Sequence, residues 1–220
     1  MKHYQDITLL PDAEISLSFL WQKVYQQIHL ALVENKIGEN HSAIALSLPK
    51  YKAPSKEQNK EKGFPLGNKV RIFAEQLTQL EQVNISQWLL RLQDYVHVTS
   101  IKAVPDNVKE HVAFKRKHVK GKNRRLTDIM KKAEHQSSKF NVPIEQCINT
   151  LTAKYAAEKE KQPLPFIVVK SLSSKNDTEM NKQFPLFIEM QTALAPTTGE
   201  FNCYGFSSLK VDKLATVPWF

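Results

Sequence analysis

Proton transfer near neutral pH is histidine chemistry, and this chain carries seven histidines: His3, His29, His41, His97, His111, His118 and His135. None falls in an HExxH or HxH pattern, the acids are scattered, and Cys147 and Cys203 form no CxxC pair. These are not the spacings that hold a catalytic or structural metal. The six glycines make no phosphate-cradling loop. The sequence therefore predicts no metal and no cofactor, and any enzyme here must work with its own side chains. His29 follows Ile28 and lies beside Gln22 at the flank of a helical apolar stripe, where a group can line a cleft. The same position suits a boundary histidine with one satisfied hydrogen bond, and the other six histidines compete for the role.

The second chemical feature is charge. Lys115, Arg116, Lys117, Lys120, Lys122, Arg124, Arg125, Lys131 and Lys132 face a single acid, Asp128, and supply most of a formal net charge of +9. Charge runs are usually solvated faces. A run this dense repels itself unless a polyanion neutralises it, which favours a nucleic-acid partner. With RNA, one reaction needs neither metal nor protein nucleophile. The 2′-hydroxyl of the substrate attacks the adjacent phosphate, while the protein moves protons and holds the phosphate in line. On pattern alone, Phe184 and Tyr204 are core or edge-strand aromatics, and Ser171 and Ser173 are ordinary strand-end residues.

The elements that must position these groups follow from periodicity. Gln5–Leu9 alternates as a strand stopped by Pro11, and Asp12 can cap the helix after it. Trp21, Val24, Tyr25, Ile28 and Leu32 make a helical stripe. Ile44–Leu48 and Val70–Phe73 read as strands, separated by a Lys-, Glu-, Pro- and Gly-rich loop over 51–67. A helical stretch from Leu77 to Leu92 breaks near Asn84-Ile85-Ser86, and Val96–Val104 closes as a strand at Pro105. The order β-α-β-β-α-β is the ferredoxin-like one, shared with RNA-recognition modules. After the basic window, Asn123 is an N-cap candidate, and Leu126, Ile129, Met130 and Ala133 form the apolar stripe of a basic helix. A second helix follows Pro143, buried through Ile144, Cys147, Ile148, Leu151 and Tyr155, and strands follow at Phe166–Lys170, Phe184–Met190 and Phe201–Phe206.

Composition sets outer bounds. Hydrophobic residues are 41% and charged residues 24%, an ordinary globular balance. No apolar run approaches the roughly 20 residues that cross a bilayer, and Met1–Asp6 has no apolar signal core. The expectation is a soluble, cytoplasmic protein without disulfides and without a membrane partner.

Several runs carry a resemblance. They are His3–Asp12, Gln27–Val33, Leu164–Ser171, Phe201–Ser207 and the terminal Val217-Pro218-Trp219-Phe220. Together they resemble the CRISPR-associated pre-crRNA endoribonuclease of type I-F (Csy) systems, and they span essentially the whole chain. The resemblance implies an α+β protein with a ferredoxin-like domain over 1–104 and an RNA-hairpin-binding domain over 105–220. It implies metal-independent cleavage of CRISPR repeat RNA at the 3′ base of a stem-loop, leaving a 2′,3′-cyclic phosphate. The enzyme would then stay on the hairpin, alongside the other subunits of the surveillance complex. By the same resemblance His29 moves the proton, Ser171 constrains the 2′-hydroxyl, Tyr204 belongs to the active site and Phe184 stacks below the stem. Lys115, Arg116, His118, Lys120, Arg124, Arg125, Lys131, Lys132 and Ser173 are the expected RNA contacts. The chain departs from the family where His118 replaces the glutamine two residues after the base-reading arginine, where the helix mixes lysine with arginine and admits Asp128, and in longer loops at 174–183 and 208–216. A non-catalytic RNA-hairpin-binding module is the alternative.

Overall fold

The computed structural model describes residues 1–53, 63–119, 122–159, 164–170, 183–208 and 214–220. Two compact units divide the chain. One comprises Met1–Ala53, Lys60–Lys117 and Leu164–Phe220, the other Pro54–Asn59 and His118–Pro163. The architecture is mixed α/β, with antiparallel sheets and five α-helices among the described residues.

The larger unit opens with β1 (His3–Leu9) and α1 (Leu17–Glu34). Ser16 caps α1 by accepting from the Phe19 N–H. Asp12, the expected cap, instead accepts from the N–H groups of Glu14 and Ile15 and closes the turn before the helix. The predicted stripe is the buried face: Trp21, Val24, Tyr25, Ile28 and Leu32, joined by Leu20 and Ala31. Each large apolar side chain buried there is worth about 1.5–3 kcal/mol. The chain continues through β2 (His41–Ser42), β3 (Ala45–Ser47) and β4 (Lys69–Ala74). Asn84, in the left-handed region at φ 42°, separates α2 (Leu77–Val83) from α3 (Ile85–Trp88), so the helix breaks where the sequence predicts. A 3-10 turn over Leu90–Tyr95 leads to β5 (Val96–Val98) and β6 (Lys102–Ala103), two short pieces where one strand was expected. The first sheet has the order β3-β4-β1-β5, every pair antiparallel, with β6 also on β1.

A second antiparallel sheet has the order β11-β7-β9-β8, built from β7 (Glu110–Lys117), β8 (Phe166–Lys170), β9 (Gln183–Ala193) and β11 (Val217–Trp219). Strand β7 carries Lys115 and Arg116, which sequence patterning had left in the basic window ahead of a helix. Its residues Val112, Ala113 and Phe114 are all buried, so no alternation betrays the strand. β10 (Phe201–Asn202) pairs with β2 and is much shorter than the predicted Phe201–Phe206 strand, because the chain turns at Cys203. The two sheets and α1 share one hydrophobic core.

The smaller unit holds α4 (Lys122–Phe140) and α5 (Ile144–Lys159). α4 begins at Lys122, so Asn123 lies inside its first turn rather than capping it. Ile129 and Ala133 pack with Cys147 and Leu151, while Leu126 and Met130 remain largely exposed. The apolar stripe is thus narrower than predicted, because a two-helix unit offers only one seam to bury. No helix among the described residues is long and apolar enough to cross a membrane.

Candidate active site

His29 and Tyr25 sit one turn apart on α1 and therefore face the same way. Both reach the turn that follows β10. The Tyr25 hydroxyl donates to the Tyr204 carbonyl at 2.9 Å, and His29 Nδ1 lies 2.8 Å from the Cys203 carbonyl. A carbonyl oxygen only accepts, so Nδ1 carries the proton. In the neutral ring Nε2 then holds a free lone pair. The Tyr204 ring lies parallel to the imidazole, with centroids 4.4 Å apart and 2° between planes.

The turn itself is organised by Asn202. Its Oδ1 accepts from the N–H groups of Tyr204 and Phe206, at 2.9 and 3.3 Å. Gly205 adopts φ +76°, and a Cβ there would collide with the Leu46 side chain. The Gly205 carbonyl accepts from the Leu46 N–H at 2.7 Å. The Asn-x-x-Gly spacing is a turn signal that sequence reading passed over in favour of a strand.

Arg116 of β7 closes the cluster. Its guanidinium lies 5.0 Å from the ring centroid of Phe184 and 5.0 Å from that of Tyr204. The pKa of His29 is lowered, first by burial and also by the positive charge of Arg116, against the upward pull of its Cys203 hydrogen bond. The Tyr25 hydroxyl is held well above its ordinary pKa, first by burial. His29 thus rests neutral and Tyr25 un-ionised.

The end of β8 is also fixed. β8 ends at Lys170, whose N–H donates to Gln26 Oε1 at 3.0 Å, three residues before His29 on α1. Ser171, Ser173 and Lys120 lie outside the described residues. Lys115 is mostly buried and ion-paired with Glu189 at 3.3 Å, and Lys117 reaches the same carboxylate at 3.7 Å. In the smaller unit His118, Arg124, Lys131 and Lys132 are exposed and Arg125 is half-buried. Lys132 Nζ donates to the Tyr155 hydroxyl at 2.9 Å. The structure therefore gathers His29, Tyr204, Arg116 and Phe184 in one cluster and sets the basic helix in a different unit. Tyr25, Asn202 and Gln26 are contributors that sequence reasoning did not single out.

A family model described as CRISPR-associated protein (Cas_Csy4) matches residues 4–220. The CRISPR-associated endonuclease Cas6/Csy4 of Escherichia coli (strain UTI89 / UPEC) is 28% identical over 221 residues, covering 100% of both chains. A solved structure described as an RAMP protein binding different RNA substrates has 12% identity and a TM-score of 0.34, over 99% of this chain and 100% of that one.

Proposed function

The chain belongs to the Cas_Csy4 family of CRISPR-associated proteins, and from that premise we propose that it is the endoribonuclease that binds and cleaves the hairpin of CRISPR repeat RNA. The cut falls at the 3′ base of the stem, and the protein keeps the hairpin for assembly with other subunits in the cytoplasm. The strand order of the first sheet supports a ferredoxin-like reading of residues 1–104, which supply His29. Residues 105–220 supply Arg116, Phe184, Tyr204, Ser171 and the basic helix.

One observation carries the catalytic reading: a half-buried imidazole, its pKa lowered, whose Nδ1 is anchored on the Cys203 carbonyl. That anchor leaves Nε2 free to accept the proton of the 2′-hydroxyl. The 2′-oxygen then forms its bond to phosphorus, the bond from phosphorus to the 5′-oxygen breaks, and the leaving oxygen takes up a proton. The products are a 2′,3′-cyclic phosphate and a 5′-hydroxyl. Lys131 and Lys132 on exposed α4 suit phosphate contacts, and Arg116 suits the O6/N7 edge of guanine through its fork. Among the described residues no group of His, Cys, Asp and Glu could hold a metal ion.

The test is incubation with repeat RNA in EDTA, beside the same RNA carrying one 2′-deoxyribose before the scissile phosphate. The expected result is cleavage of the first and tight binding without cleavage of the second. Binding of both with no cleavage would replace the enzyme by a hairpin-binding module.

A further inference from the structure

The side chains of Phe184, Arg116, Tyr204 and His29 form one contiguous series. The guanidinium of Arg116 lies over both the Phe184 and Tyr204 rings, and Tyr204 lies flat against His29. They come from β9, β7, the turn after β10, and α1, so no local sequence contact holds them together. A guanidinium stacked on aromatic faces keeps its N–H fork at the rim, free for in-plane hydrogen bonds.

We propose that Arg116 is a positioning residue for His29, acting through the Tyr204 ring, so that recognition at the foot of the stem governs the chemical step as well as binding. This rests on the cleavage reading above. A base that engages the fork squarely leaves the stack in register. A base that pulls the guanidinium away loosens Tyr204 and, with it, the imidazole. The same arrangement places a positive charge beside His29. The other titratable groups of the cluster are the hydroxyls of Tyr25 and Tyr204.

The experiment is single-turnover cleavage of repeat RNA at saturating protein, where affinity no longer limits the rate. Arg116→Ala should cut about tenfold slower, the order expected of a half-buried cation–π contact. Arg116→Lys, which keeps the charge without the planar fork, should be slower too. In a Tyr204→Leu background the Arg116→Ala effect on rate should largely vanish, while its effect on hairpin affinity persists. Wild-type protein should likewise cut a hairpin with a substituted foot pair more slowly at saturation, a measurement that needs no variant. Equal saturated rates for Arg116→Ala and wild type, or independent multiplication of the two substitutions, would overturn the proposal. If wild-type protein cuts nothing, the cleavage reading fails on its own. The coupling is then judged by the NMR ring-proton shifts of His29: a change on Arg116→Ala that is lost in the Tyr204→Leu background upholds it, and unmoved shifts overturn it.

Discussion

Replacing Gly205 with alanine should damage stability and cleavage together. The residue sits at φ +76°, where a Cβ costs about 1–2 kcal/mol. The new methyl would also press into the Leu46 side chain, which is 1% exposed and cannot swing into solvent. Overpacking of that kind adds about 1–3 kcal/mol. The expected loss is therefore about 2–5 kcal/mol, a large share of a typical stability of about 5–15 kcal/mol. The chain can relieve the clash by moving the turn, which would shift the Cys203 carbonyl off His29 Nδ1 and the Tyr204 ring off the imidazole. Denaturant unfolding gives the first quantity, and single-turnover cleavage under folded conditions gives the second. A cycle with Leu46→Ala separates the two energies. The steric part should be recovered in the double variant, leaving the backbone part of about 1–2 kcal/mol. A Gly205→Ala protein of unchanged stability would refute the left-handed turn and the positioning argument built on it.

Four further outcomes can be measured. His29→Ala should slow single-turnover cleavage by about 10²–10⁴-fold with little change in hairpin affinity. Because the native ring has a lowered pKa, the unfolded chain takes the proton first. Stability should fall as pH drops below the ordinary value of 6.5, and His29→Gln should flatten that part of a stability–pH curve. Asp6 pairs with Arg71 at 2.6 Å and Lys69 at 3.1 Å. Burial pushes its carboxyl upward, but the two cations outweigh this and hold it below the usual value. Its contribution is complete above the unfolded pKa near 3.8 and is lost as pH falls through the lower native one. Asp6→Asn strands a buried guanidinium and should cost about 3–5 kcal/mol by urea unfolding. Neutralising Lys131 and Lys132 should weaken hairpin binding and flatten its salt dependence by about one unit of slope per lost phosphate contact, and an unchanged slope would remove α4 from the interface.

Repeating patterns were legible in the sequence. The stripe of α1, the alternation of β1, the break at Asn84 and the crowding of charge from β7 into α4 each come from local spacing, and local spacing is what a helix or strand buries or exposes. The matched runs at both ends and in the middle were legible too, and they carry the family. The site was not legible from residue patterning. His29 meets the Cys203 carbonyl across 174 residues of chain, and nothing in the neighbourhood of either residue announces the other. β7 escaped because its three buried residues are consecutive, and its basic residues belong to the charged window that precedes the predicted helix. The Cys203–Phe206 segment looked like a strand because its aromatics suit one, yet Asn202 and Gly205 turn it. Tertiary packing decided that turn, since Gly205 takes its left-handed conformation against Leu46 of another strand. Packing also set Arg116 over Phe184 and Tyr204, because side chains from separate elements can stack only once the two sheets and α1 share a core.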